Sequence, residues 1–160
     1  MAVLLGIDPG LNTTGYGVIK ISFGGKVCLL EAGVVRSRSD KLANKIQEIY
    51  DGVREIITTF SPESVALEEL YSHYDRPQTA ILMGHARGAI CLAAAQSDIP
   101  VFPYAATQIK KLLTGSGHAP KEQMQRAIQL ELQLPRTPEP PDVADALAVA
   151  LCHCYHGKIG

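Results

Sequence analysis

Apolar and polar positions along the chain alternate between two periods, and the switches between them mark the elements. Residues 3–8 form a short apolar run that ends on an acid, Asp8, and reads as a buried strand. "GYGVIKIS" (15–22) and "KVCLLEAGVV" (26–35) follow at strand spacing, and Gly24-Gly25 between them is a hairpin signal. From Leu42 the period changes. Leu42, Ile46, Ile49, Val53, Ile56, Ile57 and Phe60 recur at helical spacing, with Asp40 as the expected cap and Ser61-Pro62 as the stop. "SVALEE" (64–69) is a fourth strand, reached through a helical crossover and so expected to lie parallel to the first.

The second half repeats the change of period. A helix over residues 77–97 is crowded with small residues, Gly84, Ala86, Gly88, Ala89, Ala93, Ala94 and Ala95, as suits close approach to another element or to a second copy. "IPVFPY" (99–104) is a fifth strand, followed by a helix to about Leu113, the loop "TGSGHAP", and a helix over 120–132. The Pro-rich "PRTPEPP" (135–141) leads into a last helix that Pro141 opens. The expected architecture is α/β, a mixed five-stranded sheet of three antiparallel and then two parallel strands flanked by helices. With 160 residues and no internal repeat, one domain over 1–160 is expected.

Composition narrows the function. Hydrophobic residues make up 46% and charged residues 19% of the chain, which is globular and excludes disorder. No apolar stretch is long enough for a membrane span, and the first apolar run meets Asp8 too soon for a secretory leader. Cys28, Cys91, Cys152 and Cys154 form no CxxC pair, so reduced thiols in a cytoplasmic protein are expected. A zinc site from Cys152, His153, Cys154 and His156 is disfavoured, since Cys152 and Cys154 diverge on a helix. The net charge of −1 does not advertise a nucleic-acid partner. However, Lys110, Lys111, Lys121 and Arg126 face only Glu122 between residues 105 and 126, around Gly-Ser-Gly. Such a segment is either a solvated face or a loop that tracks phosphates.

The acids carry the chemistry. Asp8 ends the first strand and Glu68 the fourth, so parallel neighbours would bring both out at the same sheet edge, where ligands of α/β sheets collect. Asp142 and Asp145 share a face of the last helix's first turn. Taken singly each acid reads as structural, because Asp-Pro-Gly is a turn signal and acids complement a helix N-terminus. Together they repel unless cations hold them, and an all-carboxylate set suits Mg²⁺ or Mn²⁺. Two such ions are apt for phosphodiester cleavage. Gly10, Gly15 and Gly17 are then expected to let backbone approach an ion or a phosphate.

"GIDPG…TGYGV", "ALEELY", "GHARG", "PYAATQIKK", "GSGHAPK" and "PDVADALAVAL" together resemble the RuvC-type Holliday junction resolvases of the ribonuclease-H-like superfamily, in order and over nearly the whole chain. The resemblance implies a bacterial, nucleoid-associated homodimer acting on four-way junction DNA with the RuvA–RuvB branch-migration complex. It implies paired, symmetric, Mg²⁺-dependent nicks that leave ligatable 5′-phosphate ends, with two ions per site and Mn²⁺ as a substitute. The family's acids fall on Asp8, Glu68, Asp142 and Asp145, its basic residues near the scissile strand on Lys110 and Lys121, and its base-stacking aromatic on Tyr71. Glu69, one residue out of phase on its strand, takes no ligand role. His85 reads as a helix or dimer-face residue, and His118 lies in the basic loop. Two other classes compete. A sugar-kinase or actin-type nucleotide-binding domain needs a second domain and phosphate loop, for which the chain is short. An inert binding scaffold gains nothing from acids facing phosphates.

Overall fold

The computed structural model describes residues 1–69 and 76–159. Strands β1 (Ala2–Asp8), β2 (Thr13–Ile21) and β3 (Val27–Arg36) form an antiparallel meander. Helix α1 (Leu42–Phe60) crosses to β4 (Ser64–Glu68), which pairs parallel with β1, and α2 (Pro77–Gln96) leads to β5 (Val101–Tyr104), parallel to β4. Helices α3 (Ala106–Thr114), α4 (Lys121–Glu131) and α5 (Pro141–Ile159) complete the order. The sheet runs β3-β2-β1-β4-β5, the mixed five-stranded arrangement that the strand pattern predicts.

The alternation along each strand sorts the interior into two apolar layers. Leu5, Ile7, Val18, Val65 and Leu67 point to one face and meet α1 and α2 through Ile49, Val53, Ile57 and Ile90. Leu4, Ile19, Ala66 and Tyr104 point to the other and meet α5, with α3 and α4 outside it. α5 is therefore buried nearly all round, from Val143 and Ala144 through Ala146–Cys152 to Cys154. Cys152 and Cys154 both end inside this layer, and burial pushes the Cys152 thiol up to about 11. None of the four cysteines is in a disulfide.

Several boundaries differ from the sequence expectation for identifiable reasons. Asp40 does not cap α1. The helix starts after Lys41 without a side-chain cap, and the Lys41 N–H donates to Ser39 Oγ at 3.2 Å. β2 begins at Thr13, two residues early, because Thr13 and Thr14 pair with Arg36 and Val35. β5 begins two residues late, because the Ile99 N–H closes the end of α2 on the Ala94 carbonyl at 3.0 Å. The β2–β3 turn uses Gly25 at φ 79°, a left-handed backbone that glycine adopts without strain.

Candidate active site

The register of β1 decides where the acids meet. Ile7 pairs with Leu67 on β4, so Asp8 and Glu68 lie side by side at the strand ends, both on the α5 face. The chain leaves Asp8 through a tight loop closed by buried Thr14, whose Oγ1 donates to the Gly10 carbonyl at 2.9 Å and accepts from the Gly10 N–H at 3.3 Å. On the same face α5 presses directly on strand backbone. A Cβ added at Gly6 would collide with the Ala146 carbonyl, one at Gly15 with the Asp142 carbonyl, and one at Gly17 with Leu147 Cδ2. That contact carries Asp142 and Asp145 to the Asp8–Glu68 pair.

This corrects the expected role of the glycines. Gly15 and Gly17 make room for α5, and a Cβ at Gly10 would overlap the Thr13 carbonyl. None of the three opens a path for an ion or a phosphate. Gly6, which the sequence reading passed over, belongs with them.

The electrostatics follow from the crowding. Burial and then the Glu68 charge raise Asp8 to about 8, with Asp145, a hydrogen bond to Glu68 and Asp142 adding to the shift. Glu68 is raised by burial and by Asp145, while its hydrogen bond to Asp8, Lys110 and Arg87 pull the other way. Burial also raises Asp145, against Lys121 and Lys110. Burial and mutual repulsion thus raise Asp8, Glu68 and Asp145 together, as crowded carboxyls do. Among the described residues no group of three or more His, Cys, Asp or Glu side chains is placed so that it could hold a metal ion as it stands. The cluster is open, and its donors are all carboxylate oxygens. That chemistry fits a hard divalent cation that keeps several waters.

Lys110 on α3 and Lys121 at the start of α4 stand on the rim of a cleft of about 260 Å³ whose wall includes Glu68 and Asp145. The basic segment is therefore the far bank of the acidic site. Glu69 is exposed, and its N–H donates to the Tyr104 carbonyl at 2.8 Å. His85 is exposed on α2, and His118 is exposed in the α3–α4 loop. Tyr71 lies outside the described residues.

The model of the family "Crossover junction endodeoxyribonuclease RuvC" matches residues 4–153. The chain belongs to the RuvC family. A RuvC crossover junction endodeoxyribonuclease from Rhodopirellula baltica is 56% identical over 153 residues, covering 95% of this chain and 85% of the relative. The Thermus thermophilus RuvC structure superposes with a TM-score of 0.91 at 35% identity, over 99% of this chain and 96% of that one. A second T. thermophilus RuvC structure, in complex with a Holliday junction substrate, gives 0.90 at 33% identity with the same coverage. Membership makes the chain an endodeoxyribonuclease of a metal-dependent family. Against this RuvC frame one residue of the site stands out as missed. Arg87 on α2 donates from Nη1 to the Glu68 main-chain carbonyl and lends its charge to the Glu68 carboxylate. "GHARG" is visible in the sequence, but a contact to the backbone of a strand 19 residues away leaves no local pattern.

Proposed function

We propose that this RuvC-family enzyme resolves four-way DNA junctions by paired, symmetric nicks, with Asp8, Glu68, Asp142 and Asp145 as the catalytic, metal-holding acids of each site. The observation that carries the reading is the convergence of the Asp8 and Glu68 strand ends with Asp142 and Asp145, which α5 brings onto the same sheet face. Buried carboxyls pressed together by a helix and two strands are costly to keep ionised, and a divalent cation is the group that makes them useful. Two Mg²⁺ ions, or Mn²⁺ in their place, would supply charge neutralisation and a water acidic enough to attack phosphorus.

The chain's own groups do the rest. Asp8 and Glu68 offer oxygens from rigid strand ends, and Asp142 and Asp145 from the helix that covers them. Lys110 and Lys121 hold the scissile phosphate against the acids and offset its charge. The attacking water's oxygen bonds to phosphorus as the P–O3′ bond breaks. The products are a 5′-phosphate and a 3′-hydroxyl, the pair a ligase can seal. Tyr71 stacks on an unpaired base at the junction centre, a contact worth roughly 1–3 kcal/mol per base.

Two symmetric cuts call for two sites, hence a homodimer. Support comes from α2, where Ile81 and Leu92 are exposed apolar side chains and a Cβ at Gly84 or Gly88 would meet nothing. A groove between α1 and α2, lined by Ile46, Tyr50, Gly88 and Leu92, continues that surface. The further partner is the RuvA–RuvB complex, and the setting is the bacterial cytoplasm at the nucleoid. No helix among the described residues is long and apolar enough to cross a membrane. Single-turnover cleavage of a synthetic four-way junction, with and without Mg²⁺, tests the reading. Two nicks at symmetric positions, dependent on the ion, are expected. An intact junction under conditions where the protein binds it overturns the proposal.

A further inference from the structure

The acids on α5 can face Glu68 only if the helix sits at the right height along β4. The two elements run in opposite directions. Asp142 and Asp145 lie beside the end of β4, and His153, at the other end of α5, reaches Ser64 at its start. Four residues of strand from Ser64 to Glu68 span about 13 Å. Eight residues of helix from Asp145 to His153 span about 12 Å. Fixing one end of this pair therefore fixes the other.

The packing between the ends is largely apolar. Helix α5 meets the sheet through the Ala146 and Asp142 carbonyls over Gly6 and Gly15 and through apolar side chains, Val143, Leu147 and Ala150 among them. Such contacts favour closeness but have little direction. Hydrogen bonds do have direction. His153 Nε2 lies 3.1 Å from Ser64 Oγ and Nδ1 lies 2.5 Å from the Tyr104 hydroxyl, while the Phe102 ring stacks on the imidazole at 4.5 Å between centroids. Tyr104 is the β5 partner of Glu68 in register, and its carbonyl accepts the Glu69 N–H. The imidazole thus holds α5 to β4, which carries Glu68, and to β5 beside it. Burial and neighbouring His156 favour its neutral form, with Glu63 opposing. A neutral ring accepts at one nitrogen and donates at the other, so both partners are served.

We propose that His153, through Tyr104 and Ser64, is a positioning residue that sets the register of α5 on β4 and so holds Asp145 opposite Glu68. The inference rests on the reading of these acids as the catalytic centre.

The test is single-turnover junction cleavage at saturating Mg²⁺ by wild type, His153→Ala, Tyr104→Phe and the double variant. Junction affinity is measured in parallel without the metal, and Ile49→Val, in the opposite apolar layer, serves as a destabilised control. Misplacing a reacting group by about 1 Å can cost on the order of 100-fold. A loss of about tenfold or more in rate for His153→Ala is expected, with junction affinity within about twofold. Tyr104→Phe should lose less, and the double variant no more than His153→Ala, because the two groups act as one unit. His153→Gln, which keeps a donor and an acceptor, should recover part of the rate. Wild-type rates in His153→Ala, or a control that loses as much, overturn the proposal. So does a rate loss that simply follows weaker junction binding. If wild type fails to cut junctions, the functional reading has failed instead. The crystal structure of His153→Ala then decides the matter. A shift of α5 along β4 sustains the brace, and an unmoved helix removes it.

Discussion

The two faces of the sheet solve the same packing problem in opposite ways. On the α1–α2 face, β1 and β2 present Leu5, Ile7 and Val18, and the helices stand off by the thickness of those side chains. On the α5 face the same two strands interleave Gly6, Gly15 and Gly17 with Leu4 and Ile19, and at the glycines the helix lies on bare backbone. The first face is an ordinary apolar layer whose contribution is stability. The second gives up side-chain burial to bring two helix acids against two strand acids. Alternation along one pair of strands therefore divides the labour: odd-numbered β1 positions Leu5 and Ile7 serve the core, and even-numbered Gly6 and Asp8 serve the site.

The comparison is broken most severely at the acid itself. Asp8→Asn should leave junction binding near normal and lower cleavage by at least about 100-fold, beyond what the loss of an outer partner of a metal ligand costs. A gel shift and a cleavage assay on the same preparation check this, and loss of binding with activity would make Asp8 a folding residue. Gly15→Ala is next. Its Cβ would meet the Asp142 carbonyl, so overpacking should cost about 1–3 kcal/mol and lift the helix acids away. Ile7→Val, on the other face of β1, should cost about 0.5–1.5 kcal/mol and leave the cleavage rate unchanged below its melting temperature. Equal loss of activity per degree of melting temperature in the two variants would abolish the distinction between faces.

Smaller effects sharpen it. Arg87→Met leaves the Glu68 carbonyl without its charged donor and should slow cleavage about tenfold, the scale of one charge-assisted hydrogen bond. Metal-free protein gives the subtlest readout. Asp8 holds its proton up to about 8 when folded but has an ordinary value of 3.8. Between these pH values the folded state binds more protons at this site than the unfolded chain, so stability falls as pH rises. Thermal melts without metal should show that decline from about pH 4 to pH 8. Mg²⁺ should flatten it, and Asp8→Asn should remove most of it while raising the metal-free melting temperature near pH 8. A slope unchanged by either would mean that the Asp8 carboxyl is not raised in the folded protein.

Much of this site is written locally, and the rest is not. Asp8 and Glu68 end strands whose parallel pairing follows from one helical crossover, and the spacing of Asp142 and Asp145 puts them on one helix face. Those four could be placed together from periodicity alone, and the family motifs added Lys110 and Lys121. The glycines were legible as a need for closeness but not as to what comes close, since nothing near Gly15 or Gly17 in the chain announces a helix more than 120 residues away. Arg87 and His153 escaped for a related reason. Each acts through a polar contact across elements, on a backbone carbonyl or on Ser64 and Tyr104, and such contacts have no period. Asp40 misled because the helix begins one residue further on, with Lys41 in the cap position and no side-chain cap.

The bare-backbone contact under α5 bears on how such a sequence can change over time. Where a helix rests on side chains, every substitution beneath it alters the gap. Where it rests on peptide groups, the gap is a constant of covalent chemistry that mutation at other sites cannot retune. Exchanges in the α1–α2 layer are then expected to alter resistance to heat or denaturant while leaving the spacing between the helix acids and the strand acids as it is.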